Sequence, residues 1–274
     1  NMFNRLFEDN KILEVNGVSI DSRKVQKNDI YIPIKGEKYD GHNFIEEALN
    51  HGAIKCFSEQ ETTIHNVINI DSSIKIINTL AKKWNEISNH TIIGITGSNG
   101  KTTTKEILFN ILSQKNKCSK SLGNHNSRLG LPISYLNSKK EDKYCIIEYG
   151  ASKPQEIENL CKIIKPNISI ITNISNAHIK NYNSILDIYE TKKSIFKCLK
   201  REEKAFKNLD DEYIRKDNYH CNTLTYSLFK EADYRGKESI KKKEKILSIN
   251  NQKKFIKKEL QHLTNIILPV YAIA

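Results

Sequence analysis

An apolar run, Thr91-Ile92-Ile93-Gly94-Ile95-Thr96, breaks into Gly97-Ser98-Asn99-Gly100 and then into Lys101-Thr102-Thr103 at the head of a helical stretch. Few folds accommodate this order. A buried strand, a glycine turn and a helix start together point inward-facing N–H groups at one spot, and the helix N-terminus adds positive potential there. A lysine at the mouth suits terminal phosphates, and a hydroxyl suits Mg²⁺. The spacing departs from the common G-x-x-x-x-G-K-[ST] pattern. Ile95 stands where the first glycine belongs, and the neighbouring glycines are Gly94 and Gly97. The context of strand, turn and helix is nevertheless that of a polyphosphate site. The candidate nucleotide-binding residues are Gly97, Ser98, Asn99, Gly100, Lys101, Thr102 and Thr103.

Later segments repeat the alternation. A strand is expected at 144–148, a helix at 154–164, a strand at 167–172 and a helix at 185–199. Strands alternating with helices imply a mostly parallel sheet flanked by helices, with ligand loops at the carboxyl ends of the strands. Glu148 then ends one strand, placed to hold Mg²⁺ near a terminal phosphate. Asn173 follows the next strand, with His178 five residues on. Lys192 lies in Tyr189-Glu190-Thr191-Lys192-Lys193, and spacing alone does not separate it from a solvated lysine. The helix from 102 to 113 follows the glycine turn.

The first 88 residues have a different texture. Short β-type runs occur at 18–20, 30–34 and 67–70, helical patterns fit 44–51 and 74–87, and Ser88-Asn89-His90 reads as a linker. The fold class is therefore α/β. A small N-terminal α/β domain over 1–88 precedes a phosphate-loop domain over 89–274. The region 233–258 is lysine-rich and reads as an exposed hairpin or irregular insertion. The apolar run from 268 to 274 lacks a cap or polar tail, which suggests a truncated domain or a covering partner.

Lys and Arg number 44 against 32 Asp and Glu, a formal net charge of +12. Such a balance attracts anions, including nucleic acid. Much of the excess sits in Lys241-Lys242-Lys243 and in the lysines from 253 to 258, without the interleaved aromatics of single-strand binders. No nucleic-acid partner is expected. The six scattered cysteines include no C-x-x-C pair, which fits a reducing cytosol. No apolar run approaches the roughly 18 residues of a membrane helix, so no membrane insertion is expected.

Taken together these motifs resemble the Mur ligases, the ATP-dependent amino-acid-adding enzymes of peptidoglycan synthesis. Thr96–Thr102 looks like that family's phosphate loop, which also lacks the first glycine. Glu148-Tyr149-Gly150-Ala151, Thr172-Asn173-Ile174…Ala177-His178 and Asn208-Leu209-Asp210-Asp211 match further family segments. Thr104-Lys105-Glu106 and the run Gly123-Asn124-His125-Asn126-Ser127 through Pro132 resemble the type that joins D-alanyl-D-alanine to UDP-N-acetylmuramoyl-tripeptide. Asp21-Ser22-Arg23-Lys24-Val25 and the run from Lys35 to Phe44 resemble its UDP-sugar-binding domain.

The resemblance implies that Ser22, Arg23, Lys35, Gly36, Asp40, Gly41 and His42 line the UDP side, and that Asn124 and Asn126 face the muramoyl-peptide. Asn208 joins the ATP-binding set. Lys101, Glu148, His178 and Lys192 form the catalytic set. Thr102, Glu148 and His178 would hold Mg²⁺, with Lys192 joining them as a carbamate. ATP would phosphorylate the peptide carboxylate, and the amine of D-alanyl-D-alanine would displace phosphate. A cytoplasmic bacterial monomer is implied. The competing readings are a remnant that binds ATP or UDP-sugar without ligating, and a ligase like folylpolyglutamate synthase. Against the latter stand the Asp-Ser-Arg and Asp-Gly-His segments. Ser127 stands where the family has a second asparagine, and Gln155 where it often has glycine. Gln261-His262-Leu263-Thr264-Asn265 matches only loosely. The family's third, C-terminal domain, which closes over ATP and receives the amine, is expected to be absent.

Overall fold

In the computed structural model, residues 15–123, 127–176, 181–241, 244–250, 252–255 and 264–273 are described. The chain divides into two compact units, one of residues 1–88 with 132–139, the other of 89–131 with 140–274. A single cut near residue 88 therefore misses the segment 132–139.

In the first unit, β1 (Val18–Ser19), β2 (Ile30–Tyr31), β3 (Lys55–Ser58) and β4 (Val67–Asn69) form a sheet in that order, all parallel. Helix α1 (Ile45–Asn50) packs Ile45 and Ala48 with Tyr31, Ala53 and Cys56. Helix α2 (Ser73–Ile87) starts at Ser72, whose hydroxyl accepts from the Lys75 N–H. This satisfies one of the donors a helix start leaves orphaned. Segment 132–139 belongs with this unit through side-chain bonds. The Asn137 amide exchanges hydrogen bonds with the Val18 backbone at 3.0 and 2.9 Å, and Trp84 Nε1 donates to Ser138 Oγ. No periodicity announces bonds of this kind.

The second unit is built on β5 (Thr91–Thr96), α3 (Lys101–Leu112), β6 (Cys118–Lys120), β7 (Tyr144–Glu148), α5 (Glu156–Ile163) and β8 (Ile168–Ile171), while α4 (Gly130–Leu136) starts in this unit and continues into 132–139 of the first. It continues through α6 (Ile185–Lys197), β9 (Lys204–Asn208), β10 (Asn222–Ser227), β11 (Tyr234–Lys241), β12 (Glu244–Ile249), β13 (Gln252–Phe255) and α7 (Thr264–Ile273). The sheet order is β13-β12-β11-β10-β9-β8-β5-β7-β6. From β6 to β11 every pairing is parallel, while β12 and β13 add antiparallel. The lysine-rich region read as a hairpin or insertion is thus an antiparallel extension of the main sheet.

Strand β5 is buried on both faces, as a central parallel strand must be. Ile93 and Ile95 pack with Leu108 and Leu112 of α3 and with Leu268 and Val270 of α7. Gly94 points the other way, where an added Cβ would lie 3.1 Å from Ile195 of α6 and 3.0 Å from Tyr149. The apolar run near residue 270 is therefore covered by the chain's own core.

One local departure has a physical signature. Gln155, the residue before α5, adopts φ of 65°, the left-handed region. A Cβ there costs about 1–2 kcal/mol. Gln155→Gly should therefore raise stability by about 1 kcal/mol, read as a higher urea midpoint at unchanged slope.

Candidate functional site

Because β5, β7, β8 and β9 are parallel, their carboxyl ends share one edge. The chain leaves β5 between β7 and β8, the switch point where open α/β sheets place ligands. Thr96 to Thr103, Glu148, Asn173 and Asn208 all come to this edge.

Helices α2 and α6 are capped by Ser72 and Ser184. Helix α3 instead follows Gly100, at φ of 81°, with no side-chain cap. Among the described residues no partner bonds the N–H groups of Gly100, Lys101, Thr102 or Thr103. The first bonded amide is that of Thr104, to Gly100 O. Four donors of a helix start thus converge with nothing to receive them. Ser98 and Asn99 are different. Their amides donate to Asn173 O at 2.9 Å and Asn173 Oδ1 at 3.1 Å. Their side chains bond the Ser175 carbonyl and hydroxyl. The unbonded amides narrow to Gly100–Thr103, while Ser98 and Asn99 fasten the loop to the segment after β8.

Lys101 Nζ turns back on the loop, donating to Gly97 O at 2.8 Å and Ser98 O at 3.2 Å. Burial pulls its ammonium below the ordinary lysine range, and the Glu148 carboxylate pulls partly the other way. Thr102 Oγ1 donates to Glu148 Oε2 at 3.2 Å. Glu148 is almost wholly buried, and its Oε1 lies 3.1 Å from Lys105 Nζ. A hydroxyl and a carboxylate with spare acceptor capacity suit a hard cation. Among the described residues no cluster of three or more His, Cys, Asp or Glu side chains could hold a metal alone. Mg²⁺ ordinarily uses one or two carboxylates together with phosphate oxygens and water. Thr102 and Glu148 fit that smaller set.

Lys192, on the inward face of α6, is 4% exposed. Among the described residues it has no hydrogen-bond or ion-pair partner. Burial first, and the charge of Lys101 second, lower it to about 8. Asn208 is also buried. Its amide donates to Thr172 O and accepts from the Asp210 N–H, so it braces the ends of β8 and β9. His178, Asn124 and Asn126 lie outside the described residues.

In the first unit, Ser22 follows β1, and the run Lys35 to His42 follows β2. Asp21 caps the turn at 22–24 and holds Arg23 through two contacts of 2.9 Å, leaving the guanidinium exposed. Ser22 is buried, donating to Glu47 Oε2. Lys35 and Gly36 are exposed, and the backbones of Lys35 and Asp40 pair in an isolated antiparallel bridge. Gly41 has no room for a side chain, since a Cβ would lie 2.8 Å from Ile34 N. His42 is buried, with Nδ1 2.6 Å from Asp40 Oδ1 and Nε2 accepting from the Glu59 N–H. Both ring nitrogens are therefore committed, one to Asp40 in the same turn and one to the backbone after β3. Of the expected UDP-side residues, Arg23 and Lys35 present charge to solvent, while Ser22 and His42 hold the loops in place.

Sequence reasoning passed over three residues as site components. Thr172 Oγ1 donates to Asn99 O at 2.6 Å, and Asn173 makes the loop bonds above. Lys105 is wholly buried, 3.1 Å from Glu148 Oε1. A signal for Lys105 existed. It shares the helical stripe of Leu108 and Leu112, where a charge needs a buried counter-charge.

Residues 95–267 match the Mur ligase middle domain and residues 14–95 match the Mur ligase family catalytic domain. The chain belongs to the Mur ligase family. The chain is 33% identical over 224 residues to the UDP-N-acetylmuramoyl-tripeptide–D-alanyl-D-alanine ligase of Bacillus subtilis, covering 80% of this chain and 49% of that protein. It is 38% identical over 193 residues to the ligase of the same name from Borreliella burgdorferi, covering 65% and 41%. The chain spans about half the length of the curated relatives it matches. Its fold superposes on the MurF ligase of Thermotoga maritima in complex with ADP with a TM-score of 0.80 and 30% identity, covering 96% of this chain and 64% of that one. MurF from Acinetobacter baumannii, at 24% identity and a TM-score of 0.79, shares the fold.

Proposed function

We propose that this chain carries the nucleotide and UDP-precursor sites of an ATP-dependent ligase that joins D-alanyl-D-alanine to UDP-N-acetylmuramoyl-tripeptide in peptidoglycan synthesis. The observation that carries the reading is the open N-terminus of α3, with four amides that bond to none of the described residues beside Lys101, Thr102 and Glu148. The similarity to an ADP-bound MurF structure supports the nucleotide, and the names of the curated relatives support the two substrates.

Amide formation from a free carboxylate needs a leaving group. A carboxylate oxygen of the tripeptide attacks the γ-phosphorus of ATP, ADP departs, and an acyl phosphate remains. The amine of D-alanyl-D-alanine attacks the carbonyl carbon, loses a proton, and expels inorganic phosphate. The amides of Gly100–Thr103 would grip the nucleotide phosphates. Lys101 would exchange its two loop carbonyls for phosphate oxygens, supplying charge where charge develops. Mg²⁺, held by Thr102 and Glu148, would neutralise phosphate charge when bound. Arg23 and Lys35 would offer cations to the UDP end. The reaction draws on cytoplasmic ATP, and the lack of any disulfide among the six cysteines agrees with that compartment.

Lys192 would act as a carbamate. A buried lysine without a partner is costly as a cation, and its lowered pKa of about 8 leaves neutral amine available to CO₂ near neutrality. The resulting anion would relieve the repulsion from Lys101 and could bind a second Mg²⁺. With ¹³C-labelled bicarbonate at pH 8, a carbamate carbon resonance should appear in the wild type and vanish in Lys192→Ala. Its absence from the wild type would remove the carbamate from the account.

The direct test follows phosphate release from ATP with UDP-N-acetylmuramoyl-tripeptide, with and without D-alanyl-D-alanine. Release that requires both substrates is expected. Nucleotide binding without release would mean that the chain binds but does not ligate alone.

A further inference from the structure

The segment Thr104-Lys105-Glu106 has no part in the chemistry above, yet it contains the most deeply buried charge near the site. Lys105 lies one helical turn beyond Lys101 and is fully buried. Its Nζ donates to Ser121 O at 2.8 Å and Gly123 O at 3.3 Å, and stands 3.1 Å from Glu148 Oε1. The Ser121 hydroxyl in turn accepts the Glu148 N–H at 3.2 Å. Glu106, the next residue, pairs with Lys120 at the end of β6. One ammonium group therefore joins three elements: the phosphate-loop helix, the carbonyls after β6, and the carboxylate closing β7. Glu148 is held at both oxygens, by Thr102 on Oε2 and by Lys105 on Oε1. The carbonyls that Lys105 holds immediately precede Asn124 and Asn126 in the sequence.

We infer that Lys105 is a positioning residue, which keeps the buried Glu148 aimed at the cation accompanying the nucleotide, and ties that carboxylate to the segment after β6. The inference rests on the nucleotide-site reading under Proposed function. Lys105 touches neither nucleotide nor metal on this account and acts through Glu148. Its burial explains why a charged residue occupies an apolar helical stripe. It neutralises a carboxylate that would otherwise be buried alone, a strongly unfavourable arrangement.

The test measures binding of a fluorescent ADP analogue to this chain as Mg²⁺ is titrated. In the wild type, Mg²⁺ should tighten binding. In Lys105→Met the Mg²⁺ needed for half-effect should rise about 10–100-fold, the usual cost of removing a partner behind a metal ligand. Affinity without Mg²⁺ should stay within about twofold, because the loop amides and Lys101 remain. Lys105→Arg, which keeps the charge, should recover part of the Mg²⁺ response. A folded Lys105→Met with the wild-type Mg²⁺ requirement overturns the inference and leaves the nucleotide site standing. A wild type that binds no ADP analogue overturns both. Should Lys105→Met not fold, Glu148→Gln with and without Lys105→Met decides the matter, since neither leaves a buried carboxylate unpaired. Equal Mg²⁺ responses in those two support action through Glu148. A further loss in the double variant contradicts it.

Discussion

Lys101→Ala is expected to lower nucleotide affinity and any ligation rate by about 10²–10³-fold while leaving the fold intact. The geometry separates these two effects. Among the described residues the ammonium bonds only the carbonyls of Gly97 and Ser98, both of the same loop. Gly97 and Ser98 are buried beneath the partly exposed Lys101, so alanine opens a space in which water can take over the two carbonyls. Lys101 also repels Lys192, which lowers the pKa of that group. Its removal should raise the Lys192 pKa and leave the thermal midpoint unchanged or slightly higher. Calorimetric titration with ADP and Mg²⁺, set beside thermal unfolding, checks both halves. A variant that melts early would make Lys101 a structural lysine, and one that binds normally would remove it from the site.

The second large effect belongs to Gly97. Its φ is 145°, a region closed to side chains, and an added Cβ would lie 1.9 Å from Thr172 Oγ1. That hydroxyl cannot easily withdraw, because it donates to Asn99 O at 2.6 Å. Strained backbone costs about 1–3 kcal/mol and an overpacked contact about 1–3 more. Gly97→Ala should thus destabilise by about 2–6 kcal/mol and displace Asn99, abolishing nucleotide binding. Adding Thr172→Ala removes the nearest atom and should return part of the stability but not the binding, since Asn99 O loses the Thr172 hydroxyl and keeps only its Asn173 partner among the described residues. Urea unfolding of the single and double variants measures this. A Gly97→Ala protein of wild-type stability would show that the loop does not have this conformation.

Strands and helices were readable wherever apolar periodicity was unbroken, as in β5, β7, β8, α2 and α6. Strand β3 is four residues long with a lysine at its start, and β9 carries Lys204 and Lys207. Lys207 is buried and donates to Asp217 O, so the strand's pattern looks polar although its fold position is internal. The cation chemistry of the site could be read from residue type and strand-end position, because parallel strands bring their carboxyl ends together. The division of labour inside the loop could not. Which amides are open and which are bonded depends on Asn173, 74 residues away from Asn99. The same holds for His42, whose exposed-looking Asp-Gly-His context conceals a ring bonded at both nitrogens.

Four backbone donors at the start of α3 bond to none of the described residues. Amide-resolved NMR of the chain, titrated with ADP and Mg²⁺, interrogates them one by one. The predicted result is that the largest shifts fall on Gly100, Lys101, Thr102 and Thr103, with smaller ones on Ser98 and Asn99, whose N–H groups Asn173 already holds. Saturable shifts confined to other residues, with these four unmoved, would contradict it.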